Sequence, residues 1–126
     1  MIKDDLNKHP KAIWIHFYKD CMKLMEMDDT VKAIEIPKMH YHHPRIILAD
    51  FESASITLKA LMKHHSKGFS FLKITVPIAL VQIMEPIPHG LAKIEIRAFT
   101  ELFLGTGVRE VKLYDQHGNL IEMDGR

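Results

Sequence analysis

The spacing of hydrophobic positions predicts three strands first, and then two helices that alternate with two further strands. The almost unbroken apolar run 12–18 (AIWIHFY) is typical of a central strand that is covered on both faces. Two weaker runs, 21–27 and 30–36, follow after short turns and complete an antiparallel meander. The predicted order is β-β-β-α-β-α-β, an α/β domain with a mixed sheet and its helices mainly on one face.

The first predicted helix covers 51 to about 65, and Asp50 stands before it as a favourable N-cap residue. The apolar stretch after this helix is interrupted by Pro77 and allows two registers for the fourth strand, 72–76 or 78–84. We prefer the second register, because a proline is tolerated at the start of a strand better than in its interior.

The second helix and the strand after it meet at a glycine-rich turn. The buried stripe of a helix over 91–104 is predicted at Ile94, Ala98 and Leu102, and Leu91 and Phe99 widen it. Gly105 and Gly107 follow, and one of them is expected to adopt the left-handed conformation that ends many helices. A strand over 108–114 comes next, and residues 115–126 contain a turn signal and are predicted as a hairpin arm.

Two blocks of the sequence are similar to motifs of a known family. Residues 95–98 (EIRA) and 105–111 (GTGVREV) match an E-x-R-A helix start and a G-A-G-A-R-E-V turn, and residues 47–51 (ILADF) with 58–63 (LKALMK) match an I-A-D-F helix. In this order the blocks, about half of the chain, resemble the bacterial actin MreB, the family of rod-shape-determining filament proteins.

The resemblance implies an actin-like or ribonuclease-H-like fold that corresponds to subdomain IA of a bacterial actin. It also implies structural roles for four residues: Asp50, Glu95, Gly105 and Gly107. Where the family has an aspartate-leucine-glycine-threonine phosphate loop, this chain has HFYK at 16–19, and the second phosphate hairpin has no counterpart. Because the metal-organising aspartate and the loop glycine are replaced, we expect no ATP hydrolysis, no catalytic residue and no cofactor.

Nuclease relatives of the same superfold suggest an alternative function. They need carboxylates on the first strand, on the first helix and near the fourth strand, where two metal ions bind. Glu52 and Glu85 suit the last two places, but the first strand offers only His16, with Asp20 in the turn beyond it. A degenerate nuclease is therefore a weaker hypothesis than a solvated Glu85 and a Glu52 that favours a helix start.

Histidines suggest a further alternative, a metal- or ligand-binding protein. The chain has nine of them, and His40, His42 and His43 cluster in a predicted loop. Imidazole nitrogens bind zinc and nickel, but this spacing fits no standard zinc pattern. The loop is therefore a weak metal-site candidate.

Composition limits the classes of partner. The chain is long enough for one domain, 1–126, in which the polar residues 1–10 are expected to be loose. Its formal net charge of +1 argues against nucleic acid as a partner. A membrane span of roughly 20 apolar residues does not occur in the sequence. Cys21 is the single cysteine, which favours a reducing compartment such as the cytoplasm.

The leading hypothesis is a non-catalytic protein-interaction module, and the resemblance adds a link to cell shape or the bacterial cytoskeleton. Two helices cover only one face of the predicted sheet, although the strands 12–18 and 78–84 are apolar on both faces. An uncovered apolar face predicts a homodimer, or another protein partner, with Trp14 or its strand neighbours in the interface.

Overall fold

The computed structural model describes residues 1–41, 47–66, 77–87 and 89–121, which form a mixed six-stranded sheet with three helices. The strands follow the order β3-β2-β1-β4-β5-β6 across the sheet. In chain order the elements are α1 (Ile2–Lys8), β1 (Ile13–Phe17), β2 (Met22–Met25), β3 (Val31–Glu35), α2 (Phe51–Ser66), β4 (Ala79–Ile83), α3 (Lys93–Leu104), β5 (Val111–Tyr114) and β6 (Leu120–Ile121). β1, β4 and β5 pair in parallel, whereas the β1–β2, β2–β3 and β5–β6 pairs are antiparallel. The α/β class and the mixed sheet are thus confirmed.

β4 occupies the second of the two predicted registers. All five of its residues are buried, and it lies between β1 and β5 at the centre of the sheet. Pro77 precedes the strand, where its missing N–H costs no ladder hydrogen bond, and its carbonyl accepts the Arg109 N–H at 3.1 Å. The other register, 72–76, falls outside the described residues.

Acidic side chains stabilise the starts of α2 and α3, and of the two only Asp50 is a predicted cap. Asp50 Oδ1 accepts the Ser53 N–H at 2.9 Å, and Glu95 Oε1 accepts the Ala92 N–H at 3.1 Å. Glu95 supplies only half of a capping box, because the Ala92 side chain has no acceptor with which to complete it. Each cap satisfies a backbone donor that the first turn of a helix leaves unpaired.

The turn after α3 uses one of its two glycines in the left-handed conformation. Gly107 has φ +96°, so the prediction is confirmed there. Gly105 has φ −62° and continues the helical geometry, with its N–H bonded to the Glu101 carbonyl. Gly107 therefore redirects the chain from α3 toward β5.

The larger core lies on the first face of the sheet, beneath α2 and α3, and the predicted stripe of α3 faces it with the exception of Ile94. Ile94 is 77% exposed, whereas Phe99, Leu102 and Phe103 are buried. The Phe99 ring lies edge-on to Phe17 with 4.9 Å between centroids. The Phe99 and Phe103 rings determine which side of α3 faces the core, because they bury more apolar area there than Ile94 could.

The N-terminal stretch, expected to be loose, forms α1 and packs on the second face of the sheet. Ile2 and Leu6 are buried there against Trp14, Leu80 and Tyr114. A helix of seven residues is unstable by itself, so its order depends on these tertiary contacts. The polar composition of this segment concealed an apolar pair at i and i+4, which is enough for one short helix to dock.

Candidate interaction surface

The second face of the sheet has a covered half and an open half. α1 covers the half formed by β1, β4 and β5, where Trp14 is only 2% exposed and Leu80 is fully buried. At β3 the same face is open, and Ile34 is 48% exposed. The prediction of an uncovered apolar face at β1 and β4 is therefore wrong, because α1 covers both strands, and the open part of this face lies at β3. Trp14, the predicted interface residue, lies under α1 and away from the surface.

Three apolar residues of the β3 segment project from the open half. Ile34 is opposite Lys23 and Val31 is opposite Met25, and opposite residues of paired strands share a face. Along β2, Lys23 and Met25 alternate with Met22 and Leu24, which belong to the core on the first face. Val31 and Ile34 therefore project from the second face. A bulge in the pairing adds one residue, so Val31 and Ile34 share a face although they are three positions apart. Ile36, two positions after Ile34, continues the row.

These residues lie on an outermost strand. β3 pairs only with β2, so its other side presents backbone N–H and C=O groups that no strand of the described ranges pairs. Val31 and Ile34 are about half exposed and Ile36 is 74% exposed. We call this strand side together with Val31, Ile34 and Ile36 the β3 edge. An unpaired edge with apolar side chains is a surface for addition of another strand.

An open groove adjoins the β3 edge on the first face. It has a volume of about 370 Å³ between residues 38–39 and the first two turns of α2. Met39 and Ile56 contribute large exposed apolar side chains, and Glu52 lies in its lining. The Ser53 hydroxyl donates to the Met39 carbonyl and holds the two walls together. The groove is thus a separate apolar surface, on the opposite face of the sheet from Val31 and Ile34.

Polar contacts fasten α1 over the covered half. The Tyr114 hydroxyl donates to Asp5 Oδ2, and Lys112 Nζ lies 3.8 Å from Asp5 Oδ1. The hydrogen bond from Tyr114, assisted by the Lys112 charge, lowers the pKa of Asp5 against the opposing effect of burial. Lys3 Nζ bonds Asp29 at 2.6 Å and lies 4.7 Å from the centroid of the Trp14 ring. A hydrogen bond, two ion pairs and a cation–π contact therefore hold this short helix.

His16 lies between the covered and open halves of the second face, and its role there is structural. Its ring is edge-on to Trp14 with 5.1 Å between centroids. Burial lowers the pKa of His16, with an opposing hydrogen bond from Gln82, so the ring is neutral at pH 7. A neutral imidazole packed in this way replaces the aspartate that the resembled phosphate loop would have.

The carboxylates of the nuclease alternative do not form one site. Glu85 Oε2 accepts the Lys19 N–H at 2.9 Å, which ties it to the β1–β2 turn. Glu52 lies in the groove, and Asp20 is exposed at the turn. Across the described ranges, no three side chains of His, Cys, Asp and Glu lie close enough to share a metal ion. His40 is exposed, while His42 and His43 fall outside those ranges.

Comparison with protein-family models and with curated proteins finds no match for this chain. The MreB resemblance therefore stays a prediction from the motifs quoted above. Among the helices that the structure describes, none is long and apolar enough to cross a membrane.

Sequence reasoning missed the β3 edge as a candidate surface. The run TVKAIEI at 30–36 predicts the third strand of the antiparallel meander, without an exposed apolar side. Its signal was the regular mixture of Lys32 and Glu35 with branched apolar residues, which is typical of an edge strand that is half exposed. The bulge that gathers Val31 and Ile34 on one face has no local signature in these residues.

Proposed function

We propose that this domain is a non-catalytic protein-interaction module and that the β3 edge is its binding surface. The observation that carries the proposal is the row of Val31, Ile34 and Ile36 on an outermost strand whose far side is unpaired. Apolar side chains give such a surface binding energy, and backbone groups give it direction.

The strand order supports an actin-like or ribonuclease-H-like assignment for the fold. An antiparallel β1–β2–β3 meander followed by parallel β4 and β5 on the other side of β1 is the order expected for that superfold. Together with the motifs at 95–98 and 105–111, it supports a relationship to MreB subdomain IA. A role in cell shape belongs to the same proposal and rests on the resemblance.

A non-catalytic role is supported by the contacts at the carboxyl ends of β1 and β4, where open α/β sheets usually bind ligands. The Tyr41 hydroxyl donates to the Tyr18 carbonyl at 2.6 Å, and Glu85 accepts the Lys19 N–H. The chain's own side chains thus occupy this crevice. No residue of the 18–21 turn has a positive φ, so the turn lacks the left-handed positions of a phosphate-binding nest.

Two matched lysine substitutions test this function. Ile34→Lys places a charge on the β3 edge, whereas Ile94→Lys places the same charge at a more exposed position on α3. Immobilised wild-type protein and both variants are compared for the proteins they retain from the native cell. We expect binding by wild type and Ile94→Lys and its loss in Ile34→Lys, with equal denaturation midpoints in all three. Equal retention by all three proteins would contradict the proposed surface.

A further inference from the structure

We propose that the partner of the β3 edge is a second copy of this chain, joined strand to strand by antiparallel pairing of β3 with β3. A two-fold axis perpendicular to the sheet relates the copies, and their two six-stranded sheets become continuous. This inference rests on the proposed function, because it names the partner of that same surface.

The backbone of β3 provides the first part of the argument. An antiparallel two-fold pair of one strand brings its middle residues, Ala33 and Ile34, next to their own counterparts. The Val31 end of one strand then lies toward the Ile36 end of the other. Every apolar residue of the β3 edge therefore meets apolar residues of the second copy on the same face of the joined sheet.

α2 provides the second part, because it accompanies β3 on the first face. His64 Nε2 of α2 lies 3.4 Å from Glu35 Oε2 of β3, which places one flank of the helix at the strand. A two-fold axis perpendicular to the sheet makes the two α2 helices antiparallel neighbours. Ile56, 63% exposed, is an apolar residue available where they approach each other.

The apolar row of the β3 edge is self-complementary in that arrangement. The bulge sets Val31 two pairing positions from Ile34, as Ile36 is on the other side. A two-fold axis at Ile34 therefore brings the Val31 of each copy opposite the Ile36 of the other. This complementarity favours a second copy over an unrelated strand.

The rest of the molecule is compatible with the same arrangement. α1 occupies the other half of the second face, so stacking of two sheets over Trp14 is blocked while α1 is docked. The β3 edge stays open to a second copy on the same face. A formal net charge of +1 gives little repulsion between copies.

Disulfide trapping tests the symmetry directly. In a Cys21→Ser background, which removes the only cysteine, Ala33→Cys and Ile34→Cys place one thiol beside the proposed axis. A residue at the axis lies within about 7 Å of its counterpart, near enough for a disulfide. We expect one of the two variants to form a covalent dimer under mild oxidation. Ile94→Cys, the matched control on α3, is expected to form no covalent dimer, and equal trapping at position 94 would overturn the proposal.

Light scattering behind a sizing column tests the energetics with the full chain. We expect a wild-type dimer at tens of micromolar, retained in Ile94→Lys and weakened by about tenfold or more in Ile34→Lys, since a charge on an edge strand opposes pairing. Ile36→Lys gives the same readout at a position that is 74% exposed and tolerates lysine in the fold. A dimer that persists in both edge variants would refute the β3 interface.

The light-scattering and protein-binding results together separate a second copy from other occupants. A wild-type monomer whose protein binding is lost in Ile34→Lys would overturn this inference and leave the proposed function standing. A wild-type monomer with binding unchanged in Ile34→Lys would overturn both.

Discussion

The covered and open halves of the second sheet face are built from the same kind of residue but differ in what lies above them. The covered half contains Trp14 and Leu80, and the open half contains Val31 and Ile34. All four side chains project from that face. Only Trp14 and Leu80 are buried, because α1 packs across β1, β4 and β5. An apolar residue on a strand therefore indicates a surface that can be covered, while the path of another segment decides whether it is.

The comparison also explains how so short a helix stays in place. α1 combines two buried aliphatic side chains with the Asp5 contacts to Tyr114 and Lys112. The Ile2 N–H also bonds the Gly118 carbonyl at 2.9 Å, which ties the helix to the β5–β6 turn. Under our proposal the exposed aliphatic residues of β3 bind a partner molecule, so β3 needs no such polar attachment.

The largest effect is expected from removing the apolar contact of α1. Leu6→Ala should lower the free energy of unfolding by about 2–4 kcal/mol, because a buried leucine leaves a cavity against Leu80 and Trp14. Ile34→Ala in the open half should cost less than about 0.5 kcal/mol in the monomer. Urea denaturation measures both values. Equal losses would remove the distinction between the halves.

The single tryptophan reports on the same variant. Trp14 emission should shift to longer wavelength in Leu6→Ala at denaturant concentrations below the main transition, since α1 leaves its ring first. Ile34→Ala should leave the wavelength unchanged. An unshifted spectrum in Leu6→Ala would indicate that α1 does not protect the ring.

A turn remote from the second face gives an intermediate effect. Gly107→Val should destabilise the protein by on the order of 1–2 kcal/mol, because φ +96° is strained for a branched residue although no atom obstructs its Cβ. Fluorescence and circular dichroism should report one common transition, since the whole sheet is affected. An unchanged midpoint would contradict the assigned role of Gly107.

The smallest effect is expected from pH. A carboxyl whose folded pKa is lowered contributes stability above its unfolded pKa and loses that contribution as the pH falls through the folded value. The ordinary value for Asp5 is 3.8, so attachment of α1 should weaken below about pH 4. Trp14 emission between pH 6 and pH 2.5 measures it. Asp5→Asn should remove this part of the acid response, whereas the exposed control Asp4→Asn should retain it.

Sequence reasoning succeeded where the decisive contact is local. Asp50 caps α2 through the N–H three residues later, and Gly107 ends α3 within its own turn. The register of β4 followed from Pro77 beside an apolar run. In each case residues within a few positions of one another determine the conformation.

Reasoning failed where the choice depends on which surfaces meet. Ile94 and Phe99 both belong to the predicted stripe of α3, but Phe99 packs on the ring of Phe17 on a distant strand, whereas Ile94 is exposed. The three apolar positions of the β3 segment likewise read as strand residues, and their exposure depends on β3 being outermost. Periodicity defines a helix or strand but leaves its rotation and its neighbours open.

The sequence by itself thus determined the α/β class, the positions of β1 and β4, the residue that caps α2 and the left-handed glycine after α3, because these depend on short-range hydrogen bonding and backbone sterics. Only the tertiary structure decided that α1 is ordered, which half of the second face is covered, and where Trp14 lies. Those outcomes rest on contacts such as Asp5 with Tyr114, 109 residues apart, whose free energy appears only when the folded sheet brings both side chains together.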